Sequence, residues 1–341
     1  MGRYRLSLAA SCAALLLSGA ALAAPPGALP RLADGHPAFD GVWTNVSITP
    51  LERDRTYGPR LVPTPDEVAR VEGAAVKRFE EGNKPTDPNQ DATDHTSKKC
   101  ASADGLDCGY NSFWKDSGVA FARVDGKPRS SSITSTPDGR IPDRRAGAAA
   151  PKGRIDIDRV DNPEDRGLGE RCLTSFGYSA GPVMLPLMYN NNYGFIRTRD
   201  ELAIQIEMVH DVRHIRIGAT THPPADVRLW FGDSIGHWEG DTLVSETTNY
   251  RPEQSIRGSD ANLKVVERFT MKGPGRLHYA FTVIDPTVWE KPWGGEYEFT
   301  PSKGQIYEYA CHEGNYALKN MLAGARVKDP SRPTRTAAAG S

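Results

Sequence analysis

The stretch Tyr307-Glu308-Tyr309-Ala310-Cys311-His312-Glu313-Gly314-Asn315 puts a thiol, an imidazole and two carboxylates almost side by side near the end of a 341-residue chain. Three chemistries suit such a cluster: a cysteine nucleophile with a histidine base, a set of metal ligands, or a disulfide that holds its neighbours in place. A second concentration is Glu207-Met208-Val209-His210-Asp211-Val212-Arg213-His214. His210 and His214 imitate the H-E-x-x-H spacing, which works on a helix because i and i+4 aim at one ion. Here Ile204, Ile206, Val209, Ile215 and Ile217 are β-branched, and four residues of extended strand span about 13 Å, too far for one ion to bridge. The helical zinc site is therefore rejected. Alternation with Ile204, Ile206 and Met208 places His210 on an apolar face and Glu207 opposite, which leaves His210 either a satisfied buried histidine or a catalytic one.

Gly232 to Leu243 gathers His237, Trp238, Glu239 and Asp241. As strand–turn–strand, it puts His237 and Glu239 on one face as an acid/base or metal pair and lets Trp238 wall a pocket. Asp241 beside Gly240 is ordinary turn chemistry. Glu267-Arg268 follows, then Trp289, Trp293, Glu296 and Tyr297. With Tyr307 and Tyr309 these aromatics suit a cavity for a sugar or aromatic ring, or equally a packed core. Two further patterns fail on context. Gly177 to Gly181 matches G-x-S-x-G, but Pro182 and Pro186 break the helix that a nucleophile elbow needs, so it reads as a turn. Asp87, Asn89 and Asp91 have calcium-loop spacing, but Ala92 and Lys98 stand where glycine and glutamate are required.

These residues need elements to position them. Arg3 and Arg5, the apolar run Leu6 to Leu22 and the small-residue site Ala21-Leu22-Ala23 read as a signal peptide over residues 1–23, too short and weakly flanked to span a membrane. Its loss moves the formal charge from −1 to −3, no footprint for nucleic acid or an anionic membrane. Of 5 cysteines, Cys12 leaves with the peptide, and Cys100, Cys108, Cys172 and Cys311 remain in an oxidising compartment. Three pairings are open; the economical one is Cys100–Cys108 and Cys172–Cys311. No Walker or Rossmann glycine pattern is present, so no nucleotide cofactor is expected.

Residues 24–165 read as an N-terminal strand ("FDGVWTNVSI"), a short helix opened by Thr64-Pro65-Asp66-Glu67, and long loops wrapping the core. Residues 166–328 carry the strands: "YGFIRT", "ELAIQIEMVH", "RHIRIG", "DTLVSETTNY", "LKVVERFTM", "RLHYAFTVID", "GEYEFTP" and "IYEYACH". Leu277, Tyr279, Phe281 and Val283 alternate cleanly, and turn residues separate the segments. An all-β fold follows, an antiparallel barrel or sandwich with a lipocalin-like barrel first, and 329–341 form a flexible tail. In the last of these strands, Cys311 shares a face with Tyr307, Tyr309 and Glu313, and His312 points the other way.

By "GHWEGDTLV…ETTNY", "NLKVVERFT", "DPTVWEKPW" and "IYEYACHEGNYAL…LAGAR", the chain resembles a large family of exported bacterial proteins to which no reaction is assigned. The resemblance runs from "DGHPAFDGVWTN" to Arg326. It implies that "GERCL" and "YEYACHEGNY" occur together, which suits a Cys172–Cys311 bond, and that "EMVH" matches Glu207 to His210. It also implies that arginine can replace His237 and an apolar residue His214.

The expected function is an exported enzyme doing acid/base chemistry, as a lyase, isomerase or hydrolase, on a small aromatic or carbohydrate-like substrate. Its site would collect His210, His312, Glu207, Glu239, Glu267 and Arg268, with Trp238, Trp289, Trp293, Tyr307, Tyr309 and Asn315 around the ligand. His312 would be the base and His210 the acid, and Arg268 would stabilise an oxyanion. No cofactor, or a divalent metal on His210, His312 and a glutamate, would complete it. The alternative is a carrier of the same architecture without catalysis.

Overall fold

The computed structural model describes residues 29–85, 111–148, 161–175, 181–254 and 256–328. The signal segment, the Cys100–Cys108 pair, the Asp87–Asp91 loop, Ser179 of the G-x-S-x-G match and the tail 329–341 lie outside the described residues.

Nine strands close one barrel. In chain order the elements are β1 (Gly41–Thr44), α1 (Pro65–Gly82), the short pair β2 (Arg123–Val124) and β3 (Lys127–Pro128), then β4 (Asn192–Arg197), β5 (Glu201–Ile206), β6 (Val212–Ile217), β7 (Asp233–Glu239), β8 (Thr242–Thr248), β9 (Lys264–Gly273), β10 (Arg276–Ile284), β11 (Trp293–Pro301) and α2 (Ala317–Lys328). Strands β4 to β11 lie in sequence order around the ring, and β1 closes it between β11 and β4. The N-terminal region thus supplies a barrel strand as well as wrapping loops. Every junction is antiparallel except β6–β7, where Ile215, Arg216 and Ile217 run parallel to Ser234, Ile235 and Gly236. A parallel neighbour requires the chain to return along the barrel's length, and residues 218–232 do so. His222 pins that crossover, its Nδ1 2.7 Å from Asp233 Oδ2. The ring is therefore no pure up-and-down meander.

Period-2 alternation decides which side chains point in. Val265, Glu267, Phe269 and Met271 of β9 and Leu277, Tyr279, Phe281 and Val283 of β10 are buried, as alternation predicts. Tyr193, Phe195, Phe269, Tyr279, Tyr297 and Phe299 meet edge-on or tilted inside, with centroids 5.1 to 6.0 Å apart. Among them lies a buried ion pair: Arg213 Nη1 and Nη2 reach Glu267 Oε1 and Oε2 at 3.1 and 2.5 Å. Tyr279 adds its hydroxyl to Oε1 at 2.8 Å. Arg213 sits on β6 and Glu267 on β9, so the pair spans the interior. Glycine matters where a wrapping segment approaches: a Cβ on Gly295 of β11 would meet the Ser132 carbonyl oxygen at 2.1 Å.

One end of the barrel is sealed by the segment before β1. The His36 ring stacks on Trp238 at 4.2 Å, Phe39 lies beside it, and the Arg197 guanidinium sits 4.8 Å from the Trp238 ring centre. The opposite end carries the longer connections, including Val183 and Met184, which are fully buried, and the turn between β5 and β6. Helix α1 starts as expected, with Thr64 and Glu67 exchanging side-chain-to-backbone bonds and Pro65 in the first turn. It runs past Ala75 to Gly82, and Ala75 alone is buried.

Two sequence expectations fail. "IYEYACH" is no strand: after β11 the chain runs irregularly from Ser302 to Tyr316. Ile306 passes over the outer face of β4, where a Cβ on Gly194 would lie 3.2 Å from Ile306 Cδ1. A barrel already closed has no free edge for another strand to join. Then comes α2, which weak periodicity hid; of its side chains, Leu322 is buried.

Removing one member of the interior pair leaves the other charge buried and uncompensated. Glu267→Gln or Arg213→Met is expected to cost about 3–5 kcal/mol in urea unfolding, and the double variant Arg213→Met/Glu267→Leu to recover most of it. Single variants within ~1 kcal/mol of wild type would show that the pair is not what holds the interior.

Candidate functional site

Strand β5 ends at Ile206 because Glu207 turns the chain. Its carboxylate Oε2 accepts from the Asn192 backbone N–H at 3.2 Å and from Asn192 Nδ2 at 2.8 Å. Its own N–H donates to the Asn192 carbonyl, and its carbonyl receives the His210 N–H. Glu207 is buried, with Oε2 engaged in this role. Between it and β6, Val209 and His210 take φ of +61° and +48°. A left-handed β-branched residue is an outlier costing roughly 1–3 kcal/mol, and such strain gathers where a site must be held in one shape.

The turn breaks the alternation that would have buried His210. Met208 and Val209 pack inward, and the imidazole emerges at the barrel's end, exposed. Its Nδ1 lies 2.8 Å from the Tyr309 carbonyl oxygen. A carbonyl only accepts, so Nδ1 carries a hydrogen and, in the neutral ring, Nε2 keeps its lone pair. The next residue, Asp211, has a carboxyl pushed up to about 6 by burial, with the His210 charge pulling weakly the other way. Its Oδ2 is buried and accepts no hydrogen bond among the described residues. Asp116, brought in by the N-terminal wrap, is also raised, by burial and then by the negative charge of Glu207. Tyr309 is pushed up to about 12 by burial and by its contact with Tyr189.

The same Tyr309 lines a cleft of about 470 Å³ between the 169–170 turn, the segment 308–315 and the start of α2. Glu170, Glu308 and Asn315 are its polar walls; Tyr309, Leu318 and Met321 are its apolar ones. The Cys172–Cys311 disulfide borders it, bonded across 139 residues with the two Cα atoms 5.8 Å apart. Of the pairings left open by the cysteine count, this one forms. Cys311 is therefore no nucleophile in the oxidised protein.

The six expected catalytic residues do not converge. Glu267 is sealed inside the barrel by Arg213 and Tyr279, out of reach of any substrate. Arg268, next on the strand, points outward and donates to Glu239 at 2.6 Å, so it faces no oxyanion near His210. His237 does share that face, 3.3 Å from Glu239, but all three form an exposed cluster on the barrel wall. His312 is exposed on irregular chain, and its backbone carbonyl takes the Asn315 N–H at 3.1 Å. It does not line the cleft. Glu207 and His210 remain together, and Tyr309 and Asn315 are the expected ligand residues that do line the cleft.

The other aromatics correct the expected cavity. Trp289 and Trp293 are core, edge-to-face at 5.6 Å, and Trp238 belongs to the sealed end. Tyr307 is exposed. His214, on β6, points outward against Glu201. Sequence reading missed Asp211 and Asp116. Asp211 stands inside the H-x-x-x-H pattern, the one local signal near it, and nothing local marks Asp116, which arrives through tertiary packing. Among the described residues, no group of three or more His, Cys, Asp or Glu side chains is arranged to hold a metal ion.

Fold and site together define a closed all-β barrel with a strained histidine–aspartate turn at one end. Comparison with protein-family models, with curated proteins and with solved structures found no match.

Asp211 has a folded-state value above its ordinary 3.8, so folding favours the neutral carboxyl. Its stabilising effect is complete below about pH 4 and is lost as the pH rises through about 6. Asp211→Asn is therefore expected to match wild type at pH 4 and exceed it by about 1–3 kcal/mol at pH 8 in denaturant titrations. Equal stability at both pH values would show that the carboxyl is not held in its neutral form.

Proposed function

We propose that the protein is an exported, cofactor-free acid/base enzyme whose reacting groups are His210 and Asp211. The observation that carries this reading is the turn itself. It holds an imidazole by Nδ1 on the Tyr309 carbonyl, leaves Nε2 open to solvent, and sets beside it a carboxyl that titrates near 6. A base and an acid with separated environments are what proton abstraction and return require.

In this mechanism His210 Nε2 removes a proton from carbon or from water, and the resulting imidazolium is supported by the Tyr309 carbonyl. The Asp211 carboxylic acid gives a proton to the leaving group or to the neighbouring carbon. Glu207 touches no substrate; it shapes the turn through Asn192. The roles first assigned by sequence thus shift, with His210 as base in place of His312 and Asp211 as acid. The reaction class stays a lyase, isomerase or hydrolase. The cleft lined by Tyr309, Asn315, Leu318 and Met321 supports a small aromatic or carbohydrate-like substrate, since it pairs an aromatic wall with amide and carboxylate groups.

Export is supported by the Arg3/Arg5 start and apolar run, and by the disulfide, which persists in oxidising compartments. No helix among the described residues is long and apolar enough to cross a membrane. The family resemblance carried by "GHWEGDTL" and "YEYACHEGNY" supports the same placement. A carrier without catalysis is the second reading; the cleft favours it to the extent that a binding surface exists apart from His210.

A screen of small aromatic esters, hydroxy acids and glycosides against wild type should find a substrate whose turnover His210→Ala lowers by about 100-fold or more. His312→Ala should keep it, and turnover by wild type should fall as the pH rises through about 6. Chelation should leave turnover unchanged. Loss in the His312 variant with retention in the His210 variant would overturn the assignment. Saturable binding with no turnover would establish the carrier, and chelator loss restored by a divalent ion would replace the cofactor-free form.

A further inference from the structure

The disulfide is placed to react. Cys172 and Cys311 are half-buried rather than sealed in the core, and Cys311 lines the cleft. Asn315 donates its Nδ2 hydrogen to Cys172 Sγ at 3.6 Å. An amide N–H aimed at sulfur favours that atom as it gains negative charge, so it makes Cys172 the better leaving group. Cys172 also holds a left-handed backbone, φ +54°, which is costly for a residue with a side chain and is kept only while its surroundings impose it.

The bond also carries a mechanical duty. The arm after β11 joins no strand from Ser302 to Tyr316, and α2 buries only Leu322 among its described side chains. Where the arm borders the cleft it is held by the disulfide and, two residues before Cys311, by the Tyr309 carbonyl on His210 Nδ1; Ile306 against Gly194 precedes these ties and Arg326 on the Asp161 carbonyl follows them.

We propose that Cys172–Cys311 is a thiol–disulfide exchange site for a dithiol reductant, and that its state governs the cleft. A thiolate of the dithiol attacks Cys311 Sγ from the cleft. A mixed disulfide forms, and Cys172 leaves as a thiolate received by the Asn315 amide. The reductant's second thiol then attacks the same reductant sulfur, expelling Cys311. The dithiol ends as a disulfide, and its two electrons and two protons end on Cys172 and Cys311. Reduction removes the covalent tie, loosens the arm where it borders the cleft and lets the Tyr309 carbonyl move away from His210. The exchange stands apart from the proposed catalysis, because it is read from thiols.

The test uses the full chain without denaturant. It is incubated with graded dithiothreitol, free thiols are trapped with a maleimide, and the modified peptides are assigned by mass. Near-UV circular dichroism reports the barrel through its buried tryptophans. Cys172 and Cys311 are expected to become labelled together while that signal is unchanged. Asn315→Ala should slow their reduction about 3- to 10-fold, and Asn315→Asp, which sets a negative charge beside the leaving sulfur, should slow it further. Labelling that appears only as the barrel signal is lost would overturn the proposal, as would reduction of both Asn315 variants at the wild-type rate.

Discussion

The barrel is organised around two opposite charges that water cannot reach. Moving a guanidinium and a carboxylate into the interior costs several kcal/mol for each ion, and only close, well-directed contact offsets that. Arg213 and Glu267 meet through a two-pronged contact, and Tyr279 adds a third bond. The pair reaches from β6 to β9 with two strands between them in the ring, so it ties together parts of the wall that share no ladder. It also locks register. A slip of one residue along β9 would send Glu267 outward and bring Arg268 in, stranding Arg213 beside a second cation.

That lock reaches the candidate site through a short lever. Arg213 lies two residues after Asp211, so anchoring Arg213 fixes where β6 begins. Glu207 anchors the end of β5 on Asn192 in the same way. Between Glu207 and Arg213, five residues must cross, and Val209 and His210 do so in left-handed conformations. The strain at the turn is thus imposed from both sides by buried charge. The same geometry exposes His210 and half-buries Asp211, which is why one remains open to solvent and the other titrates high.

The two ends of the barrel divide the work. At one end, His36, Phe39, Trp238 and Arg197 form a closed stack. At the other, loops from distant parts of the chain meet: the segment holding Asp116, the Glu207–Asp211 turn, and the arm bearing Tyr309 and Cys311. A closed ring leaves no strand edge for that arm, so it lies on the surface and depends on local ties. The disulfide at Cys311 and the Tyr309 carbonyl on the His210 imidazole lie two residues apart on that arm, so the surroundings of the histidine depend on where the arm is held.

Much of the fold was legible because alternation is a local signal. Leu277, Tyr279, Phe281 and Val283 announce both a strand and its buried face, and Thr64-Pro65-Asp66-Glu67 announces a helix start. The site was less legible. His210 and Glu207 stood out by type, but their orientation depends on a turn that strand periodicity cannot show. Glu267 and Arg268 differ by one position in sequence and by the whole thickness of the wall in space. Asp116 acquires its environment from residues more than seventy positions away, and α2 escaped notice because it buries so little. By itself, the sequence determined a β-rich chain, the alternating faces and a short set of chemically able residues, since these depend on near neighbours. Only the tertiary structure decided which of those residues meet, because closing the ring sets burial, and burial sets both the reach of a charge and the ease with which it takes a proton.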